Sequence, residues 1–233
     1  MNVSRFFYLS FIVITFSINL FAQSKSNEGD SDFLSWNAKT AQSIGESWRV
    51  KGRVGGFFDT RILSTNNSFN YKLRATLMSP EAIRAAARIE QIRSRLTNAE
   101  TKKLVAEAEQ ENLVIIVEID PREGSGIIPN DWRAFIGAPN SSSDDLIRGN
   151  SNNNLRNNKA LQSVSKRDYD YDVFWISFSL FNKNGDSLWK VVPNELELVV
   201  GIKDKEGRVT WKVTNELRLR IENLLKLKSE KSK

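Results

Sequence analysis

The alternation of apolar and polar residues predicts strands in the first two thirds of the chain. Residues 69–78 place apolar side chains at every second position, which is typical of a half-buried strand. Residues 113–119 are almost continuously apolar, and this composition predicts a central strand. Residues 48–63, which are rich in Val, Phe and Gly, predict one or two short strands, and residues 132–136 predict another.

The last third of the chain predicts a meander of strands joined by short turns. The pair Asn184 and Gly185 is a strong signal for a two-residue hairpin. Further turns are predicted at Pro193 and at the pair Glu206 and Gly207. The predicted strands are residues 173–181, 187–192, 195–202 and 208–213.

Three helices are predicted from N-cap residues that precede a periodic apolar stripe. Ser79, followed by Pro80, starts the first helix. Thr97 and Glu100 form a capping-box pair at the start of the second helix, and Thr214 caps a final helix. The stripes of the first and last helices are Ala82, Ala85, Ile89, Ile92 and Leu96, and Leu217, Ile221, Leu224 and Leu225.

This order of elements predicts the α+β class. We expect a mostly antiparallel sheet of about six to eight strands, packed against the helical pair and the C-terminal helix. A single domain would then cover residues 47–228. Residues 23–46 are predicted to be a polar linker with a short helix, and residues 229–233 a basic tail.

One stretch interrupts this regular pattern. Residues 138–166 are dominated by Asn and Ser and contain few apolar anchors. A loop of that length inside a compact domain is either a functional flap or disordered. The polar composition favours disorder.

The N-terminus has the pattern of a secretory signal peptide, which we assign to residues 1–22. Arg5 precedes an apolar run, and the small residue Ala22 ends it. The run is short for a bilayer span and is interrupted by polar side chains, although an uncleaved N-terminal anchor is the alternative. We therefore expect an exported protein, periplasmic or secreted, whose mature form starts near Gln23.

Composition limits the chemistry that this chain can perform. Among its 233 residues there is no histidine and no cysteine. Nucleophile systems based on Ser-His or Cys-His, Cys/His zinc sites, iron–sulfur clusters and disulfides are therefore excluded. An exported chain without disulfides must take its stability from its core. Such chains are typical of the proteins of a bacterial-type cell envelope. We expect neither a cofactor nor a bound metal.

Charge makes nucleic acid an unexpected partner. The chain carries 34 basic and 28 acidic residues, a net charge of +6. The two signs are interspersed, and no nucleic-acid-binding module is recognisable. The predicted partner is an unidentified envelope component or protein, with membrane contact only through an uncleaved signal.

The loop at residues 118–133 is the predicted ligand-binding surface. Glu118 and Asp120 are two positions apart at a strand end, so their side chains should share one face. A carboxylate pair there suits acid–base chemistry or a hard cation. The alternative is a charged strand end with surface ion pairs. The candidate residues are Glu118, Asp120, Arg122, Glu123, Asp131, Trp132 and Arg133.

Three other clusters allow a functional and a structural interpretation. Alternating Asp and Tyr at residues 168–172 suit calcium or form an acidic strand entrance. A helix face with Arg84, Arg88, Gln91 and Arg95 suits phosphate, lipid headgroups or acidic glycans, or is simply solvated. The tryptophans could include a platform for carbohydrate. The alternative is shared core packing of Trp175, Trp189 and Trp211, which lie in successive predicted strands.

The sequence thus predicts an exported, non-enzymatic binding or interaction module of the cell envelope, with an unknown ligand. Its working surface would combine the 118–133 loop with the Asn/Ser-rich stretch. One alternative is a carboxylate-based secreted hydrolase, such as a glycosidase, which requires two acids about 5–10 Å apart in a cleft. The other is a structural envelope subunit that docks through a strand edge or its C-terminal helix. No catalytic residue is assigned.

Overall fold

Eight antiparallel strands form one sheet in the computed structural model, which describes residues 33–56, 70–121, 127–182 and 186–231. The strands are β1 (Arg49–Val54), β2 (Tyr71–Leu77), β3 (Leu113–Asp120), β4 (Arg133–Gly137), β5 (Ile147–Ser151), β6 (Asp172–Phe178), β7 (Glu195–Ile202) and β8 (Lys205–Lys212). The α-helices in these ranges are α1 (Ala38–Ser47), α2 (Pro80–Ser94), α3 (Asn98–Glu109) and α4 (Asn215–Lys231). The predicted α+β class with a mostly antiparallel sheet is confirmed.

The sheet curls until its two outer strands almost meet. The strand order is β1-β2-β3-β6-β5-β4-β7-β8, so β1 and β8 are the ends. Gly55 N–H donates to the Glu206 carbonyl at 3.0 Å across this seam. The Trp211 indole N–H donates to the Trp48 carbonyl at 2.9 Å. A Cβ on Gly52 would lie 2.6 Å from Val209 Cγ1, so the glycine allows the two strands to approach.

The core fills the inside of this curled sheet. β3 is buried along its whole length, as its composition predicts. Its alternate residues Ile115 and Val117 lie opposite Leu77 and Ala75 of β2 on the inner face. Ile116 and Glu118 consequently belong to the outer face, where α2 also packs.

The predicted helix caps are all present. Ser79 Oγ accepts from Ala82 N–H at 3.1 Å, and Thr214 Oγ1 accepts from Leu217 N–H at 3.2 Å. Thr97 and Glu100 form the reciprocal capping box, whose hydrogen bonds lower the pKa of the Glu100 carboxyl. The stripe predicted for α2 fails at Ile92, which is 43% exposed.

Arg220 of α4 fastens the helical layer to the sheet. Its side chain is 6% exposed, and burial lowers its pKa to about 10, so it stays protonated at neutral pH. The guanidinium donates to four backbone carbonyls between 2.7 and 3.3 Å away. The acceptors are Met78, Ala108, Glu109 and Glu111. Three of them lie at or just beyond the C-terminal end of α3, where helix carbonyls lack internal partners.

The expectation of a disordered loop at residues 138–166 is wrong. This stretch contains β5, which pairs with both β4 and β6, and short 3-10 turns at 143–145, 153–157 and 159–161. Its few apolar residues are enough to hold it, because Ile147, Leu155 and Leu161 are all buried.

Two predictions in the last third of the chain are also wrong. Residues 187–192 form only an isolated bridge, at Ser187, because their polar groups bond elsewhere; the Val192 carbonyl, for example, accepts from Arg218. The turn predicted at Glu206 and Gly207 lies at Lys203, whose φ is 55°. Gly207 instead sits in β8, where a Cβ would lie 2.5 Å from a β1 carbonyl.

The chain from Asp32 to Lys233 forms one compact unit. Helix α1 falls within the segment predicted as a linker, and it packs against α2. In the described part of the chain, no helix has both the length and the apolar character needed to cross a membrane. The predicted signal peptide, the hairpin at Asn184 and Gly185, and the frayed basic tail fall wholly or partly outside the described residues.

Candidate functional site

A groove of about 910 Å³ lies on the outer face of the sheet. One side is helix α2, with Ile89, Glu90 and Arg93. Residues 156–167, which we call the wall segment, also line the groove and contact α2 at residues 159–161. The outer faces of β3 and β6 form the floor, where Trp175 contributes an aromatic surface.

The wall segment is held in place by contacts with the elements around it. The Trp175 indole N–H donates to the Leu161 carbonyl at 2.9 Å. Val164 packs against α1 at Gly45, where an added Cβ would lie 2.4 Å from Val164 Cγ2. Just beyond the segment, Asp168 accepts from Arg74 at 2.9 Å. These contacts fix a polar stretch that has little core of its own.

Five cationic side chains surround the groove. All five are exposed, and none forms an ion pair with any residue in the described ranges. Against them stand the acids Glu90, Glu118 and Asp172, so the lining carries 5 − 3 = +2 charges. The five cations are Arg93, Arg156, Lys159, Lys166 and Arg167. Clustered like charge along a groove attracts ligands of the opposite sign.

Aromatic rings lie beneath these charges. Trp175 is half-buried, and the Arg156 guanidinium lies 5.9 Å from its ring centroid. The Arg74 guanidinium lies 3.8 Å from the ring of Tyr171. Burial raises the pKa of the Tyr171 hydroxyl, with Arg74 opposing that effect, so the hydroxyl stays neutral at physiological pH. The floor therefore offers ring faces beside the carboxylates of Glu118 and Asp172.

The wall segment also presents neutral hydrogen-bonding groups. Gln162 and Ser163 line the groove, together with Gln42 from α1. The hydroxyl of Ser165 is buried and has no hydrogen-bond partner in the part of the chain that is described. The site thus combines charge, aromatic surface and polar groups.

The predicted carboxylate pair has a structural role. Glu118 and Asp120 share the outer face, as their spacing predicts. Glu118 is 5% exposed, and both its oxygens accept from Arg49, at 2.7 and 2.8 Å. Asp120 is 1% exposed, and its carboxylate lies 4.0 Å from Lys72 Nζ. Glu118 borders the groove, but its oxygens are already engaged.

The other described residues of the predicted site do not line the groove. Asp131 and Arg133 are exposed at the start of β4 and do not line it. Trp132 packs against Phe174, with ring centroids 4.8 Å apart. Arg122 and Glu123 lie outside the described residues, as does the glycine turn after them. Of the five predicted residues that the structure describes, only Glu118 therefore lines the groove.

The acidic cluster and the arginine row are largely occupied by internal contacts. Residues 168–171 form a turn rather than a strand, so the predicted alternation of carboxylates is wrong. Within the described ranges, no group of three or more acidic residues is arranged to hold a metal ion. Arg84 donates to Glu216 at 2.7 Å and Arg88 to the Trp36 carbonyl at 2.7 Å, so this helix face is not simply solvated.

Trp189 and Trp211 are buried in the core and Trp175 packs against it, as predicted, but Trp175 and Trp211 do not lie on the same face of the sheet. The strand register places Trp211 on the inner face of the sheet, opposite Leu196. Trp175 lies on the outer face with Ile116. Strand alternation places these two rings on opposite sides of the sheet.

Sequence reasoning missed the wall segment as a cationic surface. Residues 156–167 contain four basic residues and no acid, although the chain as a whole mixes the two signs. That local imbalance was the available signal. The Asn- and Ser-rich composition around it favoured disorder instead.

Comparison of the chain with protein-family models, with curated protein sequences and with solved structures gives no significant match.

Proposed function

We propose that this protein is an exported, non-enzymatic binding module whose working surface is the groove. Its ligand carries negative charge and exposes planar or apolar surface. The observation that carries this proposal is the set of five exposed cations around an aromatic floor, none of which forms an ion pair with another described residue. Such cations keep their electrostatic attraction available to a ligand.

The state of the nearby carboxylates supports binding rather than hydrolysis. A carboxylate hydrolase needs one acid to donate a proton and another to act as base or nucleophile. Both oxygens of Glu118 are committed to Arg49. The other two acids of the lining, Glu90 and Asp172, come from different elements, α2 and the start of β6.

Export is supported by the first 22 residues. Arg5, the apolar run and Ala22 follow the order of a signal peptide. The cell envelope is rich in anionic components, which fit a positively charged groove. The intact mass of the exported protein should correspond to a chain that starts near Gln23.

A multiply charged aromatic dye provides a direct test of the groove. We expect pyrene tetrasulfonate to bind the exported protein, with a fluorescence change that weakens as salt is added. The double variant Arg156→Gln, Lys159→Gln should bind about tenfold more weakly, which corresponds to the loss of two exposed charge contacts.

The matched control is Arg148→Gln, Lys102→Gln, which removes the same charges at exposed positions outside the groove. It should bind the dye like the unchanged protein. Equal loss in both double variants would show that net charge, not the groove, governs binding. Recovery of a chemically altered candidate ligand after incubation would contradict the non-enzymatic assignment.

A further inference from the structure

The groove has features that narrow the chemistry of its ligand. Resting on the function proposed above, we propose that the ligand is an acidic polysaccharide, whose sugar rings carry carboxylate or sulfate groups. Three independent features of the groove lead to this class: the placement of its cations, the groups between them, and the hydrogen bonding of its floor.

The cations come from three separate stretches of the chain rather than from a single element. Arg93 comes from α2, Arg156 and Lys159 from one end of the wall segment, and Lys166 and Arg167 from its other end. A single phosphate or carboxylate would require donors converging on one position. Charges that are spread along a groove instead fit a chain with a repeated negative charge.

The groups between the cations suit sugar rings. The ring face of Trp175 can stack against the apolar face of a pyranose ring, as aromatic side chains offer large flat apolar surfaces. Gln162 and Ser163 can exchange hydrogen bonds with ring hydroxyls. The Ser165 hydroxyl, buried at the same wall, has no described partner of its own.

The floor of the groove disfavours an extended acidic peptide. Such peptides commonly bind by adding a strand to a free sheet edge, where main-chain hydrogen bonds supply the affinity. β3 is paired on both sides, with β2 and β6, and β6 is paired with β3 along its length and with β5 at residues 176–178. A peptide lying along β3 would therefore find no free strand edge.

The test measures the binding of four probes to the exported protein. Calorimetry is run with polygalacturonate, with neutral dextran, with an oligoglutamate peptide and with vesicles containing phosphatidylglycerol. We expect polygalacturonate to bind, dextran to fail, and added salt to weaken binding. The variant Arg156→Gln, Lys159→Gln should lose about tenfold in affinity, while Arg148→Gln, Lys102→Gln keeps the original value.

Trp175 provides a second, charge-neutral readout. Trp175→Phe keeps a ring on the floor but loses the indole N–H that holds Leu161. Trp175→Leu removes the ring as well, so it should bind polygalacturonate more weakly than Trp175→Phe does. Near-ultraviolet circular dichroism and the melting temperature are recorded for both variants to show whether each has folded. If either has not folded, the charge variants serve as the test instead.

The outcomes separate this inference from the broader function. Groove-dependent binding of oligoglutamate or of vesicles, without binding of polygalacturonate, would overturn the polysaccharide and leave a binding module. Binding of none of the charged probes and none of the dye would overturn both. Equal binding by Trp175→Leu and Trp175→Phe would remove the stacking argument.

Discussion

Basic side chains have opposite roles in the groove and at the α3–α4 junction, the place where Arg220 of α4 meets the C-terminal end of α3. At the junction, Arg220 is buried and donates to four carbonyls. At the groove, cations such as Arg156 and Lys159 are exposed and have no ion pair in the described ranges. The residue type alone therefore does not determine the role of a charged side chain. What the fold places opposite the charge decides whether it stabilises the protein or remains available to a ligand.

The largest effect is expected at the junction. Arg220→Met keeps much of the side-chain volume but leaves buried carbonyls without a donor, so the free energy of unfolding should fall by about 3 kcal/mol. Urea denaturation measures this loss. Arg148→Met, the same substitution at an exposed site, should stay within about 0.5 kcal/mol of the unchanged protein. If Arg220→Met still folds but binds the dye more weakly, the conclusion that the junction and the groove have independent roles is wrong.

An intermediate effect is expected where the wall segment meets α1. Gly45→Ala places a methyl group against Val164, and overpacking of this kind costs about 1–2 kcal/mol. It should also shift the wall and weaken binding of the dye. Adding Val164→Ala relieves the clash, so the double variant should recover most of the stability and affinity. If the double variant recovers stability but not affinity, Val164 itself contributes to binding.

The smallest effect is a change in the alkaline stability profile. Because burial raises the pKa of folded Tyr171 above the value of the unfolded chain, its stabilising contribution is complete below pH 10. That contribution is lost as the pH rises through 10 towards the folded pKa. Tyr171→Phe should therefore lose less stability between pH 9 and 11 than the unchanged protein, by urea denaturation. Tyr169→Phe, at an 84% exposed site, should leave the profile unchanged.

Local rules predicted the parts of the fold that depend on local physics. The caps Ser79, Thr97 and Thr214 were predictable because a hydroxyl at that position bonds to backbone within the same turn. β3 was predictable because residues 113–119 are almost continuously apolar, and all eight residues of the strand are indeed buried. These signals lie within a few residues of the element that they specify.

The remaining features depend on distant partners. Leu161 is held by Trp175, 14 residues away, and Val164 packs against Gly45 of α1. Because these partners are distant in the sequence, composition alone favoured disorder in the wall segment. The role of the predicted carboxylate pair also depends on a distant partner. The spacing of Glu118 and Asp120 was read correctly as one face, but Arg49, 69 residues from Glu118, engages it.

The seam between β1 and β8 has a consequence for how this protein is made. The indole of Trp211 reaches a carbonyl 163 positions earlier in the chain. Until a ribosome or an export channel has released almost the whole polypeptide, β1 therefore lacks this contact and its neighbour across the seam. Contacts between distant residues form slowly and leave an unpaired strand edge prone to aggregation in the meantime. The nascent polypeptide would depend on chaperones for longer than a fold with local pairing would.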